Sequence, residues 1–159
     1  MEKEFVTYEA AKKLKGLGFD EPCIAVYGYN MQGYPKEMSE RLVGIIEISF
    51  TEGWPIEPKD LKNSVLGEDI SAPTYSSAFR WFREKHDWQH SIDPTADQHS
   101  HQLGYNYWIW NCKTGEEHHT MPKNRPAGDW EYEAYEEAET ACLEKLLEIA
   151  EENDPKIIF

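Results

Sequence analysis

Residues 105–121 limit the fold more than any other stretch of this chain. Tyr105-Asn-Tyr-Trp-Ile-Trp-Asn111 is rich in the aromatic and β-branched residues that suit a pleated strand. Lys113-Thr-Gly115 then supplies a turn, and residues 117–121 can return as the hairpin partner. Strands joined by so short a turn must pair antiparallel, because a parallel pair needs a crossover of about a dozen residues or more. Side chains alternate across a strand, so the consecutive rings fall on both faces. That is the pattern of a strand covered on both sides.

Helical periodicity marks three further segments. Across 133–152, Tyr135, Ala138, Cys142, Leu146 and Ile149 form one stripe, widened by Leu143, Leu147 and Ala150. The other side carries Glu136, Glu137, Glu144, Glu148, Glu151 and Glu152, with Lys145 the compensating cation. Asp129 is placed to cap this helix. In 73–86, Tyr75, Ala78, Phe79 and Phe82 recur at i, i+3, i+4 and i+7, and Ser71-Ala-Pro73 opens the helix with proline near its first turn. Arg80, Arg83 and Lys85 gather toward the C-terminal end, where positive charge complements the dipole. In 7–17, Thr7 can cap, Tyr8, Ala11 and Leu14 share a face, and Gly16 and Gly18 offer left-handed stops.

Three more strands are expected: 23–29; 42–50, which alternates between faces; and a short one over 90–93, closed by Asp93-Pro94. Proline, glycine and charge make 51–70 a long irregular connection or insertion, with one helical turn around 58–63. The expected architecture is a single α+β domain over 1–159. It has a mainly antiparallel sheet of four to five strands and three helices, at about 7–17, 73–86 and 133–152.

Charge enters next. The 159 residues include 16 Lys plus Arg against 30 Asp plus Glu, a formal charge of −14, yet 13% are aromatic. A disordered acidic tail lacks such aromatic content, so a packed core is expected. A basic groove for phosphates is not, which argues against direct nucleic-acid binding. The charged start, Met1-Glu-Lys-Glu-Phe-Val, is followed by no apolar stretch of signal-peptide length, and the longest apolar run is too short to cross a bilayer. Cys23, Cys112 and Cys142 are odd in number and widely separated, which suits reduced thiols in a cytoplasmic protein.

Candidate chemistry is sparse. His86-Asp-Trp-Gln-His90 has the spacing of a zinc-binding helix, but the apolar periodicity fades after Phe82, which places His90 beyond the helix. His99, His101, His118 and His119 are dense, but neighbouring residues on a strand face opposite ways. No metal and no other cofactor is expected, nor any catalytic residue: nucleophile elbows and phosphate loops are missing from the sequence. Two groups remain as candidate ligand- or partner-binding residues. Arg80, Trp81 and Arg83, on the outer side of helix 73–86, suit an anion or a carboxylate, or else pair internally. Tyr107, Trp108 and Trp110 suit stacking against a flat ligand, or else core burial. The acidic helix face either imitates a phosphate backbone for a basic protein or is ordinary solvated surface.

Three blocks are similar to a known group. They are Glu4-Phe-Val-Thr-Tyr-Glu-Ala-Ala with Gly18-Phe-Asp-Glu-Pro-Cys23, then Ile70-Ser-Ala-Pro-Thr-Tyr-Ser-Ser-Ala-Phe-Arg-Trp-Phe-Arg-Glu-Lys85, then Glu137-Ala-Glu-Thr-Ala-Cys-Leu-Glu-Lys-Leu-Leu-Glu-Ile149. Together they resemble a family of small uncharacterised proteins encoded by bacteria and their phages, with 30–69 standing as an insertion. The resemblance carries no catalytic residue. It implies a phage or mobile-element context and action on a host component. The expected function is therefore that of a small acidic binding protein acting on a host protein. The alternatives are a small-molecule-binding or sequestering module and a metal-dependent enzyme using the histidines. No membrane partner is expected.

Overall fold

Thr7 begins the first helix, α1 (Tyr8–Gly16), by accepting a hydrogen bond from the Ala10 amide at 3.3 Å. The helix stops where Gly18 turns left-handed, at φ 89°. There the Phe19 amide donates to the Leu14 carbonyl and the Gly18 amide to that of Lys15, which satisfies the last turn. Leu14 and Phe19 are both buried beside this closure. The computed structural model describes residues 2–27, 42–44, 70–96, 102–120 and 130–153. It divides the chain into two compact units, one running to Ala78 and the other from Phe79.

The first unit holds α1 and the strands β1 (Ala25–Tyr27), β2 (Leu42–Gly44) and β3 (Ile70–Ser71), ordered β2-β1-β3 and antiparallel throughout. Its core is Val6, Ala10, Ala11, Leu14, Phe19, Val26 and Ile70, with Tyr27 donating its hydroxyl to the Val6 carbonyl. Phe5 bridges to Thr74, and the Val6 amide reaches the Pro73 carbonyl at 3.0 Å. Burial pushes the Cys23 thiol up to about 12, so it behaves as an apolar filler. The strand expected over 42–50 is seen as β2; residues 45–50, the helical turn around 58–63 and most of the 51–70 connection lie outside the described residues.

The second helix, α2 (Tyr75–His86), starts later than its proline suggested. Ser71 belongs to β3, Pro73 is buried before the helix, and Thr74 supplies the capping oxygen to the Ser77 amide at 3.2 Å. The division between units falls within α2, after its first turn. Tyr75, Ala78, Phe79 and Phe82 are buried as the spacing requires, and so is Trp81, at 3% exposed.

One residue then separates helix from strand. Asp87 takes φ 59°, a left-handed conformation that aspartate tolerates better than most side chains. Its carbonyl accepts from the Cys112 amide, and its carboxylate meets Lys113 at 2.7 Å. The strands β4 (Trp88–Ala96), β5 (Leu103–Asn111) and β6 (Glu117–His119) follow as an antiparallel sheet ordered β4-β5-β6. The strand expected over 90–93 thus runs for nine residues and passes through Pro94. Among the described residues β4 is an edge strand, where a missing amide hydrogen breaks no second ladder. The 113–115 turn forms as expected: Gly115 has φ 73°, and the Asn111 side chain accepts from the Lys113 and Thr114 amides at 2.9 and 3.0 Å.

The last helix, α3 (Tyr135–Asn153), packs on β5 and β4. Its first free amide is met in reverse, with Glu137 accepting from the Ala134 N–H; Asp129 and the 156–159 tail lie outside the described residues. The expected stripe is buried except for Tyr135, which is 43% exposed and rests edge-on against Tyr105. The α+β class, the antiparallel pairing and, among the described residues, the three α-helices agree with the expectation. Among the described residues the strands divide between two three-stranded sheets where one of four to five was expected.

Candidate functional site

The register of the second sheet sorts its side chains onto two faces. Directly opposed residues of an antiparallel pair project to the same side. One face therefore holds Trp88, His90 and Ile92 of β4, Tyr105, Tyr107, Ile109 and Asn111 of β5, and His118 of β6. This is the inner face. Phe79 of α2 stacks on His90 at 3.8 Å between ring centroids, Tyr135 of α3 meets Tyr105, and Ile109 is fully buried. Burial, with the Arg83 charge second, lowers the His90 pKa to about 4. Tyr107 stacks with Tyr132, and burial followed by the neighbouring Tyr132 pushes its hydroxyl up to about 12.

The outer face is different. It carries Gln89, Ser91, Asp93 and Thr95, then Gly104, Asn106, Trp108 and Trp110, then Glu117 and His119. Asn106 is buried at its centre and links three segments: it donates to Thr95 at 3.2 Å and accepts from Thr120 at 3.3 Å and from the Glu131 amide at 3.2 Å. At one end the Trp130 indole lies directly against Gly104, where a side chain would collide with it. At the other end Trp108 is 43% exposed, and Trp110 is half-buried. Their rings meet edge to face, 5.9 Å apart at 63°, and the His119 ring lies 6.4 Å from that of Trp108. Around them stand Ser91 and His119 opposite Trp108, and Gln89 and Glu117 opposite Trp110. The Ser91 hydroxyl donates to Asp93 at 2.9 Å.

Trp108 and Trp110 are thus brought together, while the other candidates are not. Tyr107 projects to the inner face. Trp81 is buried beside Phe82 and His86 rather than on the outer side of α2, because the helix buries a wider stripe than the i, i+3, i+4 spacing marked. Arg80 and Arg83 are exposed, but α2 lies against the inner face, so the sheet stands between them and the tryptophan pair. The expectation that β5 is covered on both sides fails at Trp108. Gln89, Ser91, Asp93, Glu117 and His119 are neighbours that residue types alone did not single out. For Glu117 and His119 the hairpin register was the available signal; for β4 it was hidden by Pro94.

His86 ends α2 and His90 lies in β4, so the two do not share a helical face. His118 faces Trp88 and His119 faces Trp108, on opposite sides of the sheet. His99 and His101 lie outside the described residues. Among the described residues, no group of three or more His, Cys, Asp or Glu is arranged to hold a metal ion, and no helix is long and apolar enough to cross a membrane. Comparison with protein-family models, curated proteins and solved structures gives no match to this chain.

Proposed function

We propose that this is a binding protein of phage or mobile-element type, which recognises a host protein through the outer face of the β4–β5–β6 sheet. The observation that carries the reading is Trp108. An exposed position on a sheet face ordinarily holds a polar side chain, and a large ring left in water gives up free energy that a partner can recover. Tryptophans are also the side chains most often found to anchor protein interfaces, ringed by polar neighbours that exclude water. Here Gln89, Ser91, Asp93, Glu117 and His119 supply that ring.

The test is a paired capture from bacterial lysate, using the wild-type chain and Trp108→Ser with Trp110→Ser at equal density. The reading requires discrete proteins that the wild type retains and the double variant loses, while circular dichroism shows both folded. Identical retention would defeat it. A second reading is favoured by α3, where Glu144, Glu148 and Glu152 are exposed along one helix and Lys145 pairs with Glu148 at 3.0 Å. Such a face suits a basic, nucleic-acid-binding partner. Retention that falls steeply with salt and survives the tryptophan substitutions would select it.

A further inference from the structure

We infer that the Trp108–Trp110 face takes a cationic side chain, arginine above all, presented by a basic segment of a protein partner. The inference rests on the reading of that face as the recognition surface, and it names what the face recognises. Cations are drawn to the face of an aromatic ring, most strongly to tryptophan. The two indoles stand at 63° to one another, which gives a planar group one ring to stack on and a second to abut.

Charge on the same face selects the sign. Glu117 lies directly opposite Trp110, and Asp93 lies one step along the face from Ser91, which is opposite Trp108. Both carboxylates are exposed. Among the described residues that the register places on this face, none is lysine or arginine. The nearby Lys113 is drawn to Asp87. A phosphate-bearing ligand would meet carboxylates here and a chain of net charge −14. A neutral sugar would stack on the rings but would use neither carboxylate as a charge. Arginine uses everything present: its flat guanidinium stacks on an indole while its fork of N–H groups donates to a carboxylate.

The test uses the full chain and calorimetric titration with capped pentapeptides that alternate glycine with arginine, citrulline or glutamate, and with cellohexaose. Citrulline keeps the shape and most hydrogen bonds of arginine without the charge. The arginine peptide is expected to bind, more tightly as salt falls. Binding should weaken about 10-fold or more in Trp108→Leu, as for an interface anchor, with Trp110→Leu as the second variant should the first fail to fold. It should weaken about 3-fold in Glu117→Gln and stay unchanged in the α3 variant carrying Glu144→Gln and Glu148→Gln. Citrulline or cellohexaose binding as tightly as arginine through Trp108 would overturn the inference and leave the face as the recognition surface. Arginine binding that ignores Trp108 but falls in the α3 variant would overturn it in favour of the acidic helix. If none of these ligands binds, the inference fails. The proposed function then stands or falls separately, on whether lysate capture depends on Trp108 and Trp110.

Discussion

Ile109 and Trp108 are neighbours in the chain and opposites in environment. Ile109 points inward, where α2 and α3 cover the sheet, and is fully buried; Trp108 points outward and is 43% exposed. Both faces of β5 carry aromatic rings, so hydrophobicity does not distinguish them. What distinguishes them is that α2 and α3 lie above the inner one. The inner face buries its apolar surface under the helices, whereas the outer face leaves part of its own, at Trp108, in water.

That contrast can be broken or sharpened by substitution. Ile109→Ala should cost about 2–5 kcal/mol in chemical denaturation, since a buried β-branched side chain leaves a cavity; a loss below about 1 kcal/mol would show that the inner face is loosely packed. Asn106→Ala strips the link between Thr95, Thr120 and the Glu131 amide, and should cost about 1–3 kcal/mol by leaving buried groups unmatched. Gly104→Ala must push the Trp130 indole aside, with an expected loss of about 1–3 kcal/mol and a shifted tryptophan emission spectrum.

Acid should act through the inner face. Unfolded histidine takes up its proton near 6.5, while folded His90 does so only near about 4. Between those values the unfolded chain binds the extra proton, so the contribution of neutral His90 is complete above 6.5 and declines as pH falls toward 4. In His90→Phe, which keeps a ring against Phe79, this part of the acid sensitivity should vanish; denaturation curves at pH 7 and pH 4.5 for both proteins measure the difference. Smallest of all, Trp108→Ser should change stability by about 1 kcal/mol or less, while removing partner capture.

Pattern reading recovered the elements whose ends carry their own chemistry. Thr7 caps α1, Gly18 ends it, and Gly115 turns the hairpin, each for a local reason visible in the residue itself. It erred where the deciding partner lay elsewhere in the fold. Pro94 reads as a strand terminator until β4 is known to be an edge. Trp81 borders the apolar stripe of α2, and only packing shows that it is inside. Pro73 was expected inside the first turn of α2, but Thr74 caps the helix after it, because a side-chain oxygen is what the free amides require. Of the candidate site, Trp108 and Trp110 were legible as strand aromatics, grouped with Tyr107, which the register sends to the other face. Their polar neighbours were not, since those depend on the register of two other strands.

Asp87 has a consequence for how this chain can vary. A single residue joins the end of α2 to the start of β4, so the parity of the whole strand is set by the count of residues at that corner. Adding or deleting one there would send Trp88 and His90 into water and bring Gln89, Ser91 and Asp93 under the helices. Chemistry at this corner is negotiable, since asparagine or glycine also accepts the left-handed turn. Length is not: the corner can change its letters but cannot gain or lose one.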